Sequence, residues 1–220
     1  MSVWVTRLRT HPSGVLLVVQ ILGVLAYPYM EAGIGRAAFS VFGLGVLLLA
    51  VWAVRSTPAL TWVAVLLGVP VFVLTVLEGL EPEHSSVVMW SALLHGAFYL
   101  YTAYGLIRYL FDDTWVTRDE IFAVGAAFTV VAWAFAYLYT AVQVIWPGSF
   151  VAYADPEAPR TWMELLFLSF TTLTSTGLSD VVPVLPHARS VVMIEQVCGL
   201  MYVALVVARL GGLTIYRFRG

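Results

Sequence analysis

Between Thr161 and Pro186 the sequence gathers its most chemically useful run: a short apolar segment to Leu173, then Thr174-Ser175-Thr176-Gly177-Leu178-Ser179-Asp180, then Pro183 and Pro186. Small residues let backbone carbonyls line a narrow axis, Ser175, Thr176 and Ser179 add hydroxyls, and Gly177 permits a positive φ. Oxygens at fixed spacing are what replaces the water shell of a cation. A short helix ending at Leu173 turns its negative dipole end toward the same place. The expected ligand is a cation, with no cofactor. No catalytic constellation competes: His11, His84, His95 and His187 are scattered, and neither His-Glu-x-x-His nor Gly-x-Ser-x-Gly occurs. Cys198, the single cysteine, lies in an apolar stretch and reads as a small core residue. Glu195 also stands inside an apolar stretch, where a carboxylate is expensive and calls for a polar partner.

The elements that must hold this run are transmembrane. Hydrophobic residues make up 61% of the 220 and charged residues 11%, at a mean hydropathy of +0.91, whereas a soluble domain carries about 25% charged residues. The eleven basic residues are all arginine and the net charge is -2, so no basic field invites nucleic acid. Apolar runs near the ~20 residues of a bilayer span fall at 14–32, 37–54, 59–79, 85–111, 120–146 and 188–210. The first follows Arg7 and Arg9, but Tyr27-Pro28-Tyr29-Met30 offers no signal-peptide cleavage site. Ser56-Thr57-Pro58 caps the third span and Asp119-Glu120 opens the fifth. The segment from Thr161 to Leu173 makes roughly 20 Å of helix, too short to cross. It reads as re-entrant; as an ordinary external loop it would leave Leu165, Leu166, Phe167, Leu168 and Phe170 facing water. With the N-terminus inside, Arg7, Arg9, Arg55, Arg108, Arg118, Arg209, Arg217 and Arg219 are internal, against Arg36, Arg160 and Arg189 outside. Both termini are therefore expected in the cytoplasm, and the external side, with Glu78, Glu81, Glu83, Asp155, Glu157 and Asp180, is acidic.

The stretch from Ser169 to Pro183 resembles the pore-helix end and selectivity filter of the potassium channel superfamily, whose pattern is T-T-V-G-Y-G-D with a proline three residues after the aspartate. The likeness is to the bacterial two-helix pore module and covers about residues 120–212. Aligned on Gly177 and Asp180, Ser175 to Ser179 take the five filter positions. The resemblance implies K+ at Thr174, Ser175, Thr176, Gly177, Leu178 and Ser179, Asp180 at the outer mouth, and four copies around one axis, a homotetramer. It places a hinge at Gly199, 22 residues after Gly177, and turns Leu200, Val203 and Val207 to the cavity. Glu195 then lies nearer the pore helix, as a buried protonated carboxyl with Thr171 or Thr172 as its hydroxyl partner. Glu164, Asp155 and Glu157 are candidates for an outer acidic ring.

This chain departs from the pattern in three places. Leu178 replaces the filter aromatic, and Phe167-Leu168 replace the aromatic pair of the pore helix. Ser179 replaces the second filter glycine, where a positive φ would cost about 1 kcal/mol. The fold expected is an all-α membrane protein with six transmembrane helices, a re-entrant pore helix and a filter loop, divided into a four-helix membrane domain, 1–115, and a pore domain, 116–220. The function expected is a tetrameric cation channel of the plasma membrane, conducting potassium. The alternatives are a non-selective cation channel, a potassium-uptake-like protein and a non-conducting scaffold. Val87 to Leu110 holds only Arg108, so no arginine ladder senses voltage. His95 reads as an interhelical histidine, Arg108 as a snorkelling one, and the first four spans as a scaffold or a contact for an accessory subunit.

Overall fold

The computed structural model describes residues 11–26, 34–55, 59–80, 84–112 and 118–219. Among these the chain is mostly helical, in the order α1 Pro12–Ala26, α2 Ile34–Val54, α3 Thr61–Leu80, α4 Ser85–Leu110, α5 Arg118–Ile145, β1 Phe150–Ala152, α6 Trp162–Leu173, β2 Val181–Pro183 and α7 Pro186–Arg219. Three helices of the described residues are long and apolar enough to cross a membrane: α3 over Thr61–Glu78, α5 over Asp119–Ile145 and α7 over Pro186–Arg209. Apolar but shorter are Pro12–Ala26, Phe42–Val54 and α6. Arg7, Arg9, the Tyr27–Met30 stretch, Ser56-Thr57-Pro58, Glu81 and Glu83 lie outside the described residues.

Two compact units divide the chain, residues 1–80 with 98–130 and residues 81–97 with 131–220. In the first, α1 runs along the start of α5. Ser13 Oγ donates to Asp119 Oδ2 at 2.9 Å, Gly14 faces Phe122, Gly125 faces Leu17, and Thr129 Oγ1 donates to Gln20 Oε1 at 2.6 Å. The paired numbers rise together, so the two helices are parallel. Small residues at 14 and 125 admit the opposing side chains, the usual way apolar helices approach one another in a membrane. Asp119 and Glu120 sit in the first turn of α5, where the helix dipole favours acids.

The second unit holds the candidate functional region. Its core joins Phe135, Tyr139 and Val142 of α5, Phe150 and Ala152 of β1, Leu165 and Leu168 of α6, Val181 of β2, and Ala188 and Val192 of α7. Strands β1 and β2 are antiparallel, with Phe150 opposite Pro183, Val151 opposite Val182 and Ala152 opposite Val181. Val184 N–H adds a bond to Ser149 O at 2.9 Å. The chain therefore leaves β1, runs through α6 and the Thr/Ser/Gly loop, and returns beside its point of departure. Pro186 opens α7 at the one helical position where a missing N–H costs nothing. His95 is buried, with Nδ1 2.8 Å from Ser91 O and its ring stacked on Tyr137 at 4.2 Å, an interhelical contact. Arg108 is exposed and reaches the Tyr104 hydroxyl at 3.5 Å.

Candidate functional site: the loop after a short helix

The start of α6 is set by its sequence. Thr161 is the N-cap and Glu164 completes a capping box: Glu164 N–H donates to Thr161 Oγ1 at 3.3 Å and Thr161 N–H to Glu164 Oε2 at 2.6 Å. Thr161→Ala is expected to cost about 1 kcal/mol, seen as a fall of about 2–4 °C in melting temperature. Immediately before the cap, Gln143 of α5 brackets the Arg160 peptide, accepting from its N–H at 2.8 Å and donating to its carbonyl at 2.9 Å. The Arg160 guanidinium donates to Glu164 Oε1 at 3.2 Å and to the carbonyls of Asp155 and Ala158. Glu164, a candidate for an acidic ring, thus spends both oxygens on the cap and on Arg160. Sequence reasoning used Arg160 only to orient the chain and gave Gln143 no role; the Thr-x-x-Glu spacing at 161–164 was the signal available.

The other end of α6 builds the loop. Thr174 is the C-cap, with φ -79° and ψ -4°. Ser175 follows in the left-handed region at φ +58°. Its N–H bonds Thr172 O at 3.0 Å while Thr176 N–H bonds Thr171 O at 2.9 Å, the two crossed bonds of a Schellman cap, with serine where glycine is usual. Gly177 N–H makes a second bond to Thr171 O at 3.0 Å, and Gly177 is left-handed at φ +69°. Strain expected at Ser179 lies instead at Ser175, because the helix terminates there and its cap demands a positive φ. Ser179 keeps its φ negative, and its hydroxyl caps the N–H of Val181 at 3.1 Å.

The loop residues Thr174 to Leu178 are exposed on the single chain, Leu178 at 76%. Thr174 Oγ1 and Thr176 Oγ1 are 2.8 Å apart, and Gly177 O accepts from Ser179 N–H at 3.1 Å. Among the described residues the carbonyls of Ser175, Thr176 and Leu178 accept no hydrogen bond, so their lone pairs are available to a ligand. Asp180 is exposed beside them.

On α7 the expected cavity residues Leu200, Val203 and Val207 are exposed at 68%, 49% and 64%. Gly199 points the other way. It is buried, and a methyl group there would collide with the Leu173 carbonyl at the end of α6. It sits mid-way along an unbroken helix, as the residue that lets α6 approach. Glu195 is fully buried, as expected, but its partners are not Thr171 or Thr172: Oε1 is hydrogen-bonded to the Ser169 hydroxyl and Oε2 accepts from Tyr139. Thr171 turns its hydroxyl back to Leu168 O at 2.9 Å. The axial offset of α6 against α7 decides which hydroxyl meets Glu195, and that offset is not written in either helix alone. Cys198, expected in the core, is exposed on α7.

No curated protein and no solved structure matches the chain. A family model described as ion channel matches residues 125–215, from within α5 through α6 and the loop into α7, and this supports an ion-channel protein.

Proposed function

We propose that the chain is one subunit of a homotetrameric pore-loop channel that passes monovalent cations, potassium foremost, across the plasma membrane. The observation that carries this reading is the loop itself: a 12-residue helix ends in two left-handed residues and a set of unbonded carbonyls, and the chain returns to pair β2 with β1. One chain supplies one such loop, and a closed ring of oxygens requires several around an axis. Thr174 to Ser179 then form the filter, Asp180 the outer mouth, and Leu200, Val203 and Val207 the cavity wall. The pore module is 116–220, with 1–115 as a four-helix membrane domain. Six spans with both termini cytoplasmic fit the parallel course of α1 and α5, which is what a first and a fifth span must show. The ion-channel match favours a channel over an enzyme.

Planar-bilayer recording of purified protein under a potassium/sodium gradient tests the reading. A reversal potential near the potassium equilibrium value is expected, and absence of current from assembled protein overturns it. The second reading, a cation pore of weak selectivity, is favoured by one observation: Leu178, at the position of the filter aromatic, is exposed on the single chain and has no hydroxyl with which to brace the outer filter. Reversal near zero selects it.

A further inference from the structure

Two residues of α7 one turn apart, Glu195 and Gly199, meet two residues of α6 one turn apart, Ser169 and Leu173. The offset is the same at both rungs, so the helices run in parallel and their faces are locked in one axial register. The upper rung is a hydrogen bond between fully buried side chains, and the lower is a backbone contact that only glycine permits. Tyr139 of α5 donates to the second Glu195 oxygen, so one carboxyl joins three helices. The Ser169 hydroxyl also lies 2.9 Å from Ala132 O on α5. A hydroxyl carries one hydrogen. Ser169 satisfies both neighbours when it donates to Ala132 O and receives a hydrogen from a neutral Glu195 carboxyl.

We propose that Glu195, seated by Gly199, is a positioning residue for permeation: it fixes α6 along α7 and thereby fixes the loop that hangs from the end of α6. The loop is anchored through Thr171 O, which receives the N–H groups of Thr176 and Gly177. Sliding α6 by a fraction of a turn carries that carbonyl, and both loop amides, with it. Glu195 is not an ion ligand, because both its oxygens are spent on Tyr139 and Ser169 and the side chain has no exposure. The proposal rests on the channel reading for its functional consequence, but not for the clamp itself.

The test uses the assembled full-length protein and two readouts, amide hydrogen exchange over residues 174–180 and single-channel conductance. Glu195→Leu is expected to raise exchange at Thr176 and Gly177 about tenfold, as loss of a buried hydrogen bond implies, while exchange elsewhere in α5 and α7 stays near wild type. Conductance changes with it. Glu195→Gln should stay close to wild type in both, since a carboxamide donates to Ser169 and accepts from Tyr139 as a neutral carboxyl does. Wild-type exchange and conductance in assembled Glu195→Leu overturn the proposal. So does a Glu195→Gln variant that behaves like Glu195→Leu, since the carboxyl would then act through its charge. Where Glu195→Leu fails to assemble, Ser169→Ala and Tyr139→Phe each remove one of the two bonds to Glu195; faster exchange confined to the loop supports the clamp, and unchanged exchange in both refutes it. If the wild type carries no current, the channel reading fails, and the exchange arm still decides the clamp.

Discussion

Replacing Gly177 by alanine is expected to abolish cation current while leaving the assembled protein intact. Nothing lies within 4 Å of a Cβ built at this position, so the cost is not steric crowding by neighbours. It comes from φ +69°, which an L-residue holds at about 1–2 kcal/mol per position. Ser175 tolerates φ +58° because two crossed hydrogen bonds of the helix cap bracket it. Gly177 has one bond on its N–H and one on its carbonyl, the latter to a residue only two positions on. Relaxation to negative φ is therefore the easier course, and it rotates the peptide between Thr176 and Gly177 so that its carbonyl leaves the proposed pore axis. In the proposed ring of four copies the penalty is felt four times, about 4–8 kcal/mol per pore. Size-exclusion chromatography with bilayer recording checks both halves: lost assembly would make Gly177 a folding residue, and unchanged current would remove it from the proposed filter.

How much of this was legible in the sequence depends on the range of the interaction concerned. Short-range information served well. The short apolar helix expected from Thr161 to Leu173 is found at Trp162–Leu173 with Thr161 as its cap, and the positive φ expected at Gly177 is present. Hydropathy marked the last span at 188–210, but α7 runs from Pro186 to Arg219, because apolar composition reports where a bilayer would end and not where helical hydrogen bonds do. The pairing of β1 with β2 gave no signal: three residues are too few for a period-2 pattern, and the partners are some thirty positions apart. Glu195 was recognisable as a residue in need of partners, yet Ser169 and Tyr139 could not be picked from Thr171 and Thr172 without the register between helices. Gly199 carried a hinge expectation by position, whereas its observed contact is the backbone of Leu173. Glycine is the same letter in both roles, and only the neighbour tells them apart.

The second large effect lies outside the proposed filter. Arg160→Ala is expected to lower stability by about 2–3 kcal/mol, from the loss of several bonds to carbonyls and a carboxylate, which corresponds to a fall of roughly 4–12 °C in melting temperature. The side chain is only 3% exposed and its guanidinium ties Asp155 O, Ala158 O and Glu164 into one turn. Glu164, at 27% side-chain exposure, regains water when Arg160 is removed, so the estimate stays below that for a fully buried pair. The two loop carbonyls lose their donors, and the segment between β1 and α6 loses the fork that folds it. Lysine is expected to recover less than half of the loss, because a single ammonium cannot reach two carbonyls and a carboxylate in the planar geometry that arginine supplies. Gln143 still brackets the Arg160 peptide in either variant, so the start of α6 stays in place and the filter loop is disturbed little. The expected result is a pair of variants with reduced melting temperature and near-normal reversal potential. A changed reversal potential at unchanged melting temperature would instead make the Arg160 turn part of the permeation path.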